Sequence, residues 1–524
     1  MPIAFLPFDG WTPSGSYFGE GWVTATNLYP AYASWRPWRR LIPETNNVGD
    51  GPMLGGHVHV WNSGIGASAY RPDGQTIFAG SSRRLYTVDP ATGIFTDVSK
   101  AALYGPDFAG WRFASVGNDI FATNWIDPVQ RRTNNAGLFA DAFTSAFRPC
   151  PRFIAPIRGY LVGWNLSNAG RRQDELVWSD LDNAINFDPP ATTSTSLAGS
   201  IVLPSIPGQG TGLVGGQYGL AFKRNATFYL EYAGPPQIFR PDVLDDAVGT
   251  AYPSSIIKSR YGVFFLGPDG FYKISGLSQP VKFSPPGIDQ VLLDSNLTVN
   301  TLGTYYVWQE DTQIEGFEMT GWPMIGWAFR VNLGEHGNNV AVLYNPVTDQ
   351  WSKVDLADPD PAEGLSPRPT VIFRRPYADT LYETLAGFTW NGGESRYASL
   401  SPSGAAANVF APTATTRYRP ANFATESEPR ASEMGQSRIK GVLPLFSKLS
   451  RAGAALTPTV TVTPLLDPYG SPGTPEVRPA AERSDIAGWY PFQAAGRLFE
   501  ISIGCAAEDF ANLEGVYVDQ ELLT

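Results

Sequence analysis

Short apolar or alternating runs, each bounded by Gly, Asp, Asn or Pro, recur from about residue 52 to residue 400, and this recurrence constrains the fold more than any other feature. TIFAG with RLYTVD (76–89), WRFASVGNDIFATN (111–124) and RGYLVGWN with ELVWSD (158–180) open the series. QYGLAFKRNATFYLEYAG (217–234), SRYGVFFLGPDGFYKISG (259–276), NVAVLYNPVTDQWSKVD (339–355) and LAGFTWNGGESRYASL (385–400) complete it. Several share one grammar: an apolar strand, a tight turn such as Gly267–Gly270, and a second strand with alternating aromatics, which predicts a β-hairpin. The phrases Val88–Gly93 and Tyr344–Asp349 read as one turn used in two repeats.

Seven units over roughly 350 residues give about 50 residues each, near the length of a four-stranded propeller blade. A blade cannot bury both faces alone, so blades must stack radially and cover one another. The expected fold class is all-β, a seven-bladed β-propeller; six or eight blades also fit, because the gap between 276 and 339 could hold an insertion or another blade. Composition agrees: 54 Gly, 45 Pro and 13% aromatic residues disfavour long helices.

Residues 1–51 carry Trp11, Trp22, Trp35 and Trp38 in a Pro-rich stretch with little period, read as an extended N-terminal arm that packs on another part of the structure or on a partner. The propeller is assigned to 52–400 and a linker rich in Ala, Ser, Thr, Pro and Glu to 401–437. In 438–524, IKGVLPLF, TPTVTVTPLL, RLFEISIGCA and LEGVYVDQEL read as strands of a small antiparallel sandwich.

The 38 Lys+Arg against 49 Asp+Glu leave a net charge of -11, which argues against a sequence-reading nucleic-acid binder yet suits a wall that DNA slides past. Cys150 and Cys505 cannot form a disulfide framework. The first twenty residues lack the basic and apolar regions of a signal peptide, and no apolar run spans a bilayer, so neither secretion nor a membrane anchor is expected.

Reaction chemistry has little to work with. His57 and His59 alternate in HVHV and would face one side of a strand, as two metal ligands would, but no third ligand is recognisable; His336 stands apart. Gly210–Gly215 matches GxGxxG, yet it leads into an aromatic strand rather than a helix and reads as a glycine-rich turn. The acidic pairs Asp245 with Asp246, Asp358 with Asp360 and Glu426 with Glu428 fall in turns or linker. No catalytic residue, cofactor site or metal site is therefore assigned. Five Arg-Arg doublets (39–40, 83–84, 131–132, 171–172, 374–375) suit ion pairs and interfaces, and Trp35, Arg36, Trp38, Arg39 and Arg40 form the expected partner-docking cluster.

The phrase GWVTATNLYP (21–30) followed by Arg36-Pro37-Trp38 resembles the opening of the tail nozzle proteins of short-tailed bacteriophages. ELVWSDLDNAINFDP (175–189), the stretch GLAFKRNATFYLEYAG to FYKISG (219–276) and the closing GRLFEISIGCAAEDFANLEGVYVDQEL are similar to further parts of that family. The resemblance implies a non-enzymatic virion protein assembled in the host cytoplasm: a homohexameric ring below portal and adaptor that meets other tail proteins and gates passage of double-stranded DNA. The alternative is a host-recognition propeller that binds or cleaves a surface glycan.

Overall fold

The computed structural model describes residues 3–8, 11–12, 22–31, 34–38, 53–61, 74–89, 94–105, 110–143, 147–168, 172–188, 195–203, 205–293, 314–319, 322–329, 340–356, 368–375, 383–390, 394–399, 412–418, 436–446, 458–465, 472–483, 489–496, 498–505 and 513–523. These residues form a β-propeller of seven sheets and a β-sandwich.

Each of the first five blades is an antiparallel meander drawn from one continuous piece of chain. They begin with the strands Gly55–Trp61, Arg112–Val116, Pro151–Ile157, Gly210–Val214 and Ile257–Ser259, and each adds three more in sequence order. The sixth blade runs Glu315–Met319, Met324–Phe329, Val340–Asn345 and Gln350–Asp355. The seventh has three described strands, Arg368–Arg375, Glu383–Trp390 and Glu394–Ser399. Short turns make the meanders: Gly267 donates its amide to the Gly270 carbonyl at 2.8 Å. The two similar phrases noted in the sequence both lead from the third to the fourth strand of a blade. In the second of them Asn345 Oδ1 accepts the amides of Val347 and Thr348.

The first strands are innermost, and an apolar layer separates each blade from the next. Phe78, Leu85 and Ile120 fill the layer between blades one and two. Phe222 and Phe265, 5.2 Å apart, meet between blades four and five, and Leu343 and Ile372 between six and seven. The ring closes where Val371 joins Val58 and Ile77, and where Thr370 Oγ1 donates to the Met53 carbonyl at 2.5 Å. Among the described residues that closure is by packing, since no strand from the chain's N-terminal region enters blades one or seven.

The four C-terminal runs read from the sequence are strands, Gln436–Phe446, Thr459–Leu465, Leu498–Gly504 and Leu513–Leu523. Alternation sets their inner face: Val460, Val462, Phe499, Ile501 and Ile503 are buried, while the intervening Thr and Ser residues face out. Tyr418 Oη bridges the two sheets by donating to Gln520 Oε1 at 2.7 Å.

One segment assignment is corrected. The stretch 401–437, read as a linker, contributes Thr413–Tyr418, which pairs with Leu498–Gly504 inside the sandwich. The N-terminal arm packs on the sandwich: Ile3–Pro7 pairs with Leu513–Leu523, and Trp22–Thr26 pairs with Thr413–Tyr418 on one side. On its other side Trp22–Thr26 runs parallel to the outer strand of blade six through Thr26 and Lys353, so one nine-stranded sheet spans propeller and sandwich. Asn27, with φ of 60°, fixes this junction. Its Nδ2 donates to Asp355 Oδ2 at 3.0 Å, and its Oδ1 accepts the Asp355 amide at 2.8 Å. Local period could not reveal these pairings, because their partners, such as Thr413 with Gly504 and Ile3 with Asp519, are remote in sequence.

Candidate functional site

The expected docking cluster is split by the structure. Trp35 is 3% exposed and packs edge-on against Phe8 at 4.9 Å in the sandwich core. Trp38 is 2% exposed and meets Tyr29 at 6.1 Å against blade six. Both indoles are spent inside the chain and offer no docking surface here. Arg36 lies in the strand Ser34–Pro37, its side chain outside the described set, and Arg39 and Arg40 lie outside the described residues. In the other doublets Arg84, Arg131, Arg132 and Arg172 bond within the chain. Arg84 pairs with Asp97, Arg131 Nε bonds Asp119 Oδ2 at 2.8 Å, and Arg172 forks onto Asp174 at 2.8 and 2.7 Å.

The GxGxxG stretch is also corrected: Gly210–Val214 is the innermost strand of blade four rather than a turn before it. A Cβ on Gly210 would stand 2.1 Å from Trp164 Nε1, so glycine is there for close approach of two blades and not for a pyrophosphate. Asp245 caps a turn by accepting the amides of Ala247 and Val248, while Asp358, Asp360, Glu426, Glu428 and His336 lie outside the described residues.

The polar groups that do converge sit on the inner strands. His57 and His59 face the same side, as their spacing requires, and both meet the hydroxyl of Ser115 on blade two: His57 Nε2 at 2.8 Å and His59 Nδ1 at 3.0 Å. His57 stacks on Phe113, ring centroids 5.8 Å apart. Desolvation and the neighbouring His59 push His57 down to about 4. Burial also lowers His59, with the Asp119 carboxylate opposing that shift, and its Nε2 is buried without a hydrogen-bond partner. Both rings are therefore neutral near pH 7. Among the described residues no group of three His, Cys, Asp or Glu side chains could hold a metal ion. Cys150 and Cys505 are both buried and not joined in a disulfide.

A second network crosses between blades. Arg112, at the start of the inner strand of blade two, donates from Nη2 to Ser254 Oγ, just before blade five, at 2.6 Å. Glu315, opening blade six, completes it. Desolvation raises its carboxyl to about 7 against the opposing pull of Arg112 and Ser254. On the arc from blade two to blade five a cavity of about 300 Å³ is walled by Phe113, Phe153, Ile154, Leu213 and Ile256, with Arg112 and Lys258 also at its lining. Lys258 Nζ donates to the Gly215 carbonyl at 2.5 Å. Sequence reasoning missed Arg112, Ser115, Ser254, Lys258 and Glu315, since each is an isolated polar residue, four on strands and Ser254 in the 3-10 turn Pro253–Ser255, and only blade stacking brings them together.

The seven radially stacked sheets define a β-propeller. No protein-family model and no curated protein matches the chain. Solved structures do. The N-terminal domain of Nup159 is similar at 10% identity and a TM-score of 0.34, over 69% of this chain and 98% of that one. YCF48 bound to D1 peptide is similar at 10% identity and a TM-score of 0.37, over 71% and 98%. The computationally designed Ika8 protein is similar at 10% and 0.34, over 69% and 99%. No ligand or partner is transferred from these proteins, and the propeller assignment rests on the sheets themselves.

Proposed function

We propose that this chain is a structural subunit of a bacteriophage tail, a nozzle protein of the short-tailed type. Six copies form a ring below portal and adaptor and continue the DNA ejection channel. The observation that carries the reading is the nine-stranded sheet: Trp22–Thr26 joins blade six to the sandwich, so load applied to one half is borne by backbone hydrogen bonds in the other. A wall that must resist DNA under pressure gains from such a rigid connection. The resemblance noted in residues 219–276 supports it, since that stretch builds three of the four strands of blade four and three of the four of blade five.

The inner strands bear on where DNA would run. The Arg112–Ser254 hydrogen bond reaches from blade two to blade five, and the space beside it is a cavity of about 300 Å³. A duplex would not thread one propeller, so in this reading the conduit lies on the ring axis, walled by neighbouring subunits. The net charge of -11 keeps phosphates from sticking to that wall.

Negative-stain electron microscopy of the purified chain tests the proposal. Rings with six-fold symmetry and a central hole are expected. Monomers or trimers that bind or hydrolyse a surface polysaccharide would overturn it in favour of a host-recognition propeller.

A further inference from the structure

The cavity between the inner strands of blades two and five has a composition that the ring reading does not use. Several described arginines are matched to a carboxylate, as in Arg131–Asp119, Arg172–Asp174, Arg240–Glu231 and Arg417–Glu500. Lys258 differs: among the described residues it has no carboxylate partner, and its ammonium is engaged by one carbonyl, leaving two donors. Arg112 spends one guanidinium N–H on Ser254 and has four left, with only the half-buried Glu315 as a nearby anion. Two cations with spare donors thus line one cavity whose other lining side chains include Phe113, Phe153 and Ile154.

Lys258 is exposed and Arg112 half-buried, and an anion entering the cavity can take the spare donors of both as charge-assisted hydrogen bonds. The walls choose among anions. A phosphate dianion would need donors on several sides and would leave Phe113, Phe153 and Ile154 against a strongly hydrated group. A carboxylate matches the fork of a guanidinium with two oxygens and leaves the rest of its molecule to the apolar wall. At about 300 Å³ the space is at the small end of ligand pockets, enough for a ring or branched chain and too little for a nucleotide.

We propose that this cavity is a binding site for a small monocarboxylate with an apolar body, the carboxylate taken by Arg112 and Lys258 and the body by Phe113, Phe153 and Ile154. The site belongs to a single propeller and does not depend on ring assembly.

Titration calorimetry on the full chain, with sodium benzoate as probe, tests it. Saturable 1:1 binding is expected. Lys258→Gln, an exposed position whose change leaves the fold intact, should weaken it about tenfold, the effect of one charge-assisted hydrogen bond. Val214→Phe, which fills the cavity from a half-exposed wall position, should do the same, and thermal melts of both variants confirm folding. Benzyl alcohol, with the same ring and no charge, should bind far more weakly, and inorganic phosphate should not compete. Equal binding of benzyl alcohol, competition by phosphate at matching concentration, no benzoate binding, or indifference to both substitutions would each overturn the assignment. None of these outcomes bears on whether the chain forms rings.

Discussion

Blade five and the sandwich are both built from antiparallel strands, yet the chain assembles them in opposite ways. Blade five takes all its strands from Ile257 to Lys282, each paired with its neighbour in sequence. The sandwich pairs Ile3 with Asp519 and Trp22 with Thr416. Loop closure makes the second arrangement slow to form, whereas a meander meets each partner across a short turn. The difference teaches where cooperativity lies: a blade is a local product stabilised by its two neighbours, and the sandwich exists only when both ends of the chain arrive. Once formed, it ties the ends to blade six.

The sharpest way to break this contrast is to delete residues 1–26. Both sandwich sheets lose a strand, and Gln350–Asp355 and Thr413–Tyr418 lose the strand between them. Limited proteolysis should then cut throughout 413–523 while 55–399 stays protected. A sandwich that remained protected would show that the arm is dispensable.

Next in size is Trp22→Ala. The indole is fully buried and donates to the Pro7 carbonyl at 2.8 Å, so truncation should cost about 3–5 kcal/mol in urea unfolding. Trp164→Ala removes an equally buried indole, one that donates to the Phe222 carbonyl at 3.2 Å, with a similar cost. Hydrogen exchange separates them: Trp22→Ala should accelerate exchange in both sandwich and Gln350–Asp355, and Trp164→Ala only in blades three and four.

Gly56→Ala probes ring closure, because the added Cβ would stand 2.2 Å from the Phe373 ring of blade seven. A loss of about 1–3 kcal/mol is expected. An unchanged melting temperature would mean that the blade one to seven contact yields easily.

Glu315 gives a smaller, pH-dependent effect. Its folded carboxyl is raised from 4.5 to about 7, so the folded state holds the proton more tightly than the unfolded chain. Its contribution is present below pH 4.5 and is lost as pH rises through 7, by about 1–2 kcal/mol once partial exposure is allowed for. Glu315→Gln should flatten that slope in denaturation curves taken between these limits. The smallest expected change is Ser115→Ala, about 1 kcal/mol from the lost bonds to His57 and His59, read as a shift in urea midpoint.

The blades were legible because their information is local. GPDG at 267–270 specifies a hairpin wherever it occurs, and VDP and YNP mark the step to a blade's outer strand. HVHV put two imidazoles on one side of a strand, and they do face together, but nothing in the sequence announced that Ser115 would be their shared partner. The aromatic and basic phrase at 35–40 misled for a related reason. Tryptophan suits an interface and a core equally well, and only the position of Phe8 and Tyr29 shows that Trp35 and Trp38 serve the core.

By itself, then, the sequence determined that this is a β protein, where many of its blade strands and turns fall, and that the middle of the chain repeats a stacking unit. Tertiary structure alone decided that Trp22–Thr26 would stitch the sandwich to blade six, that Thr413–Tyr418 would be a strand, and that Arg112 and Lys258 would face one cavity. Period-two alternation records which side of a strand is buried but carries no information about which distant strand lies beside it. That choice is made by the energy of the whole packed molecule.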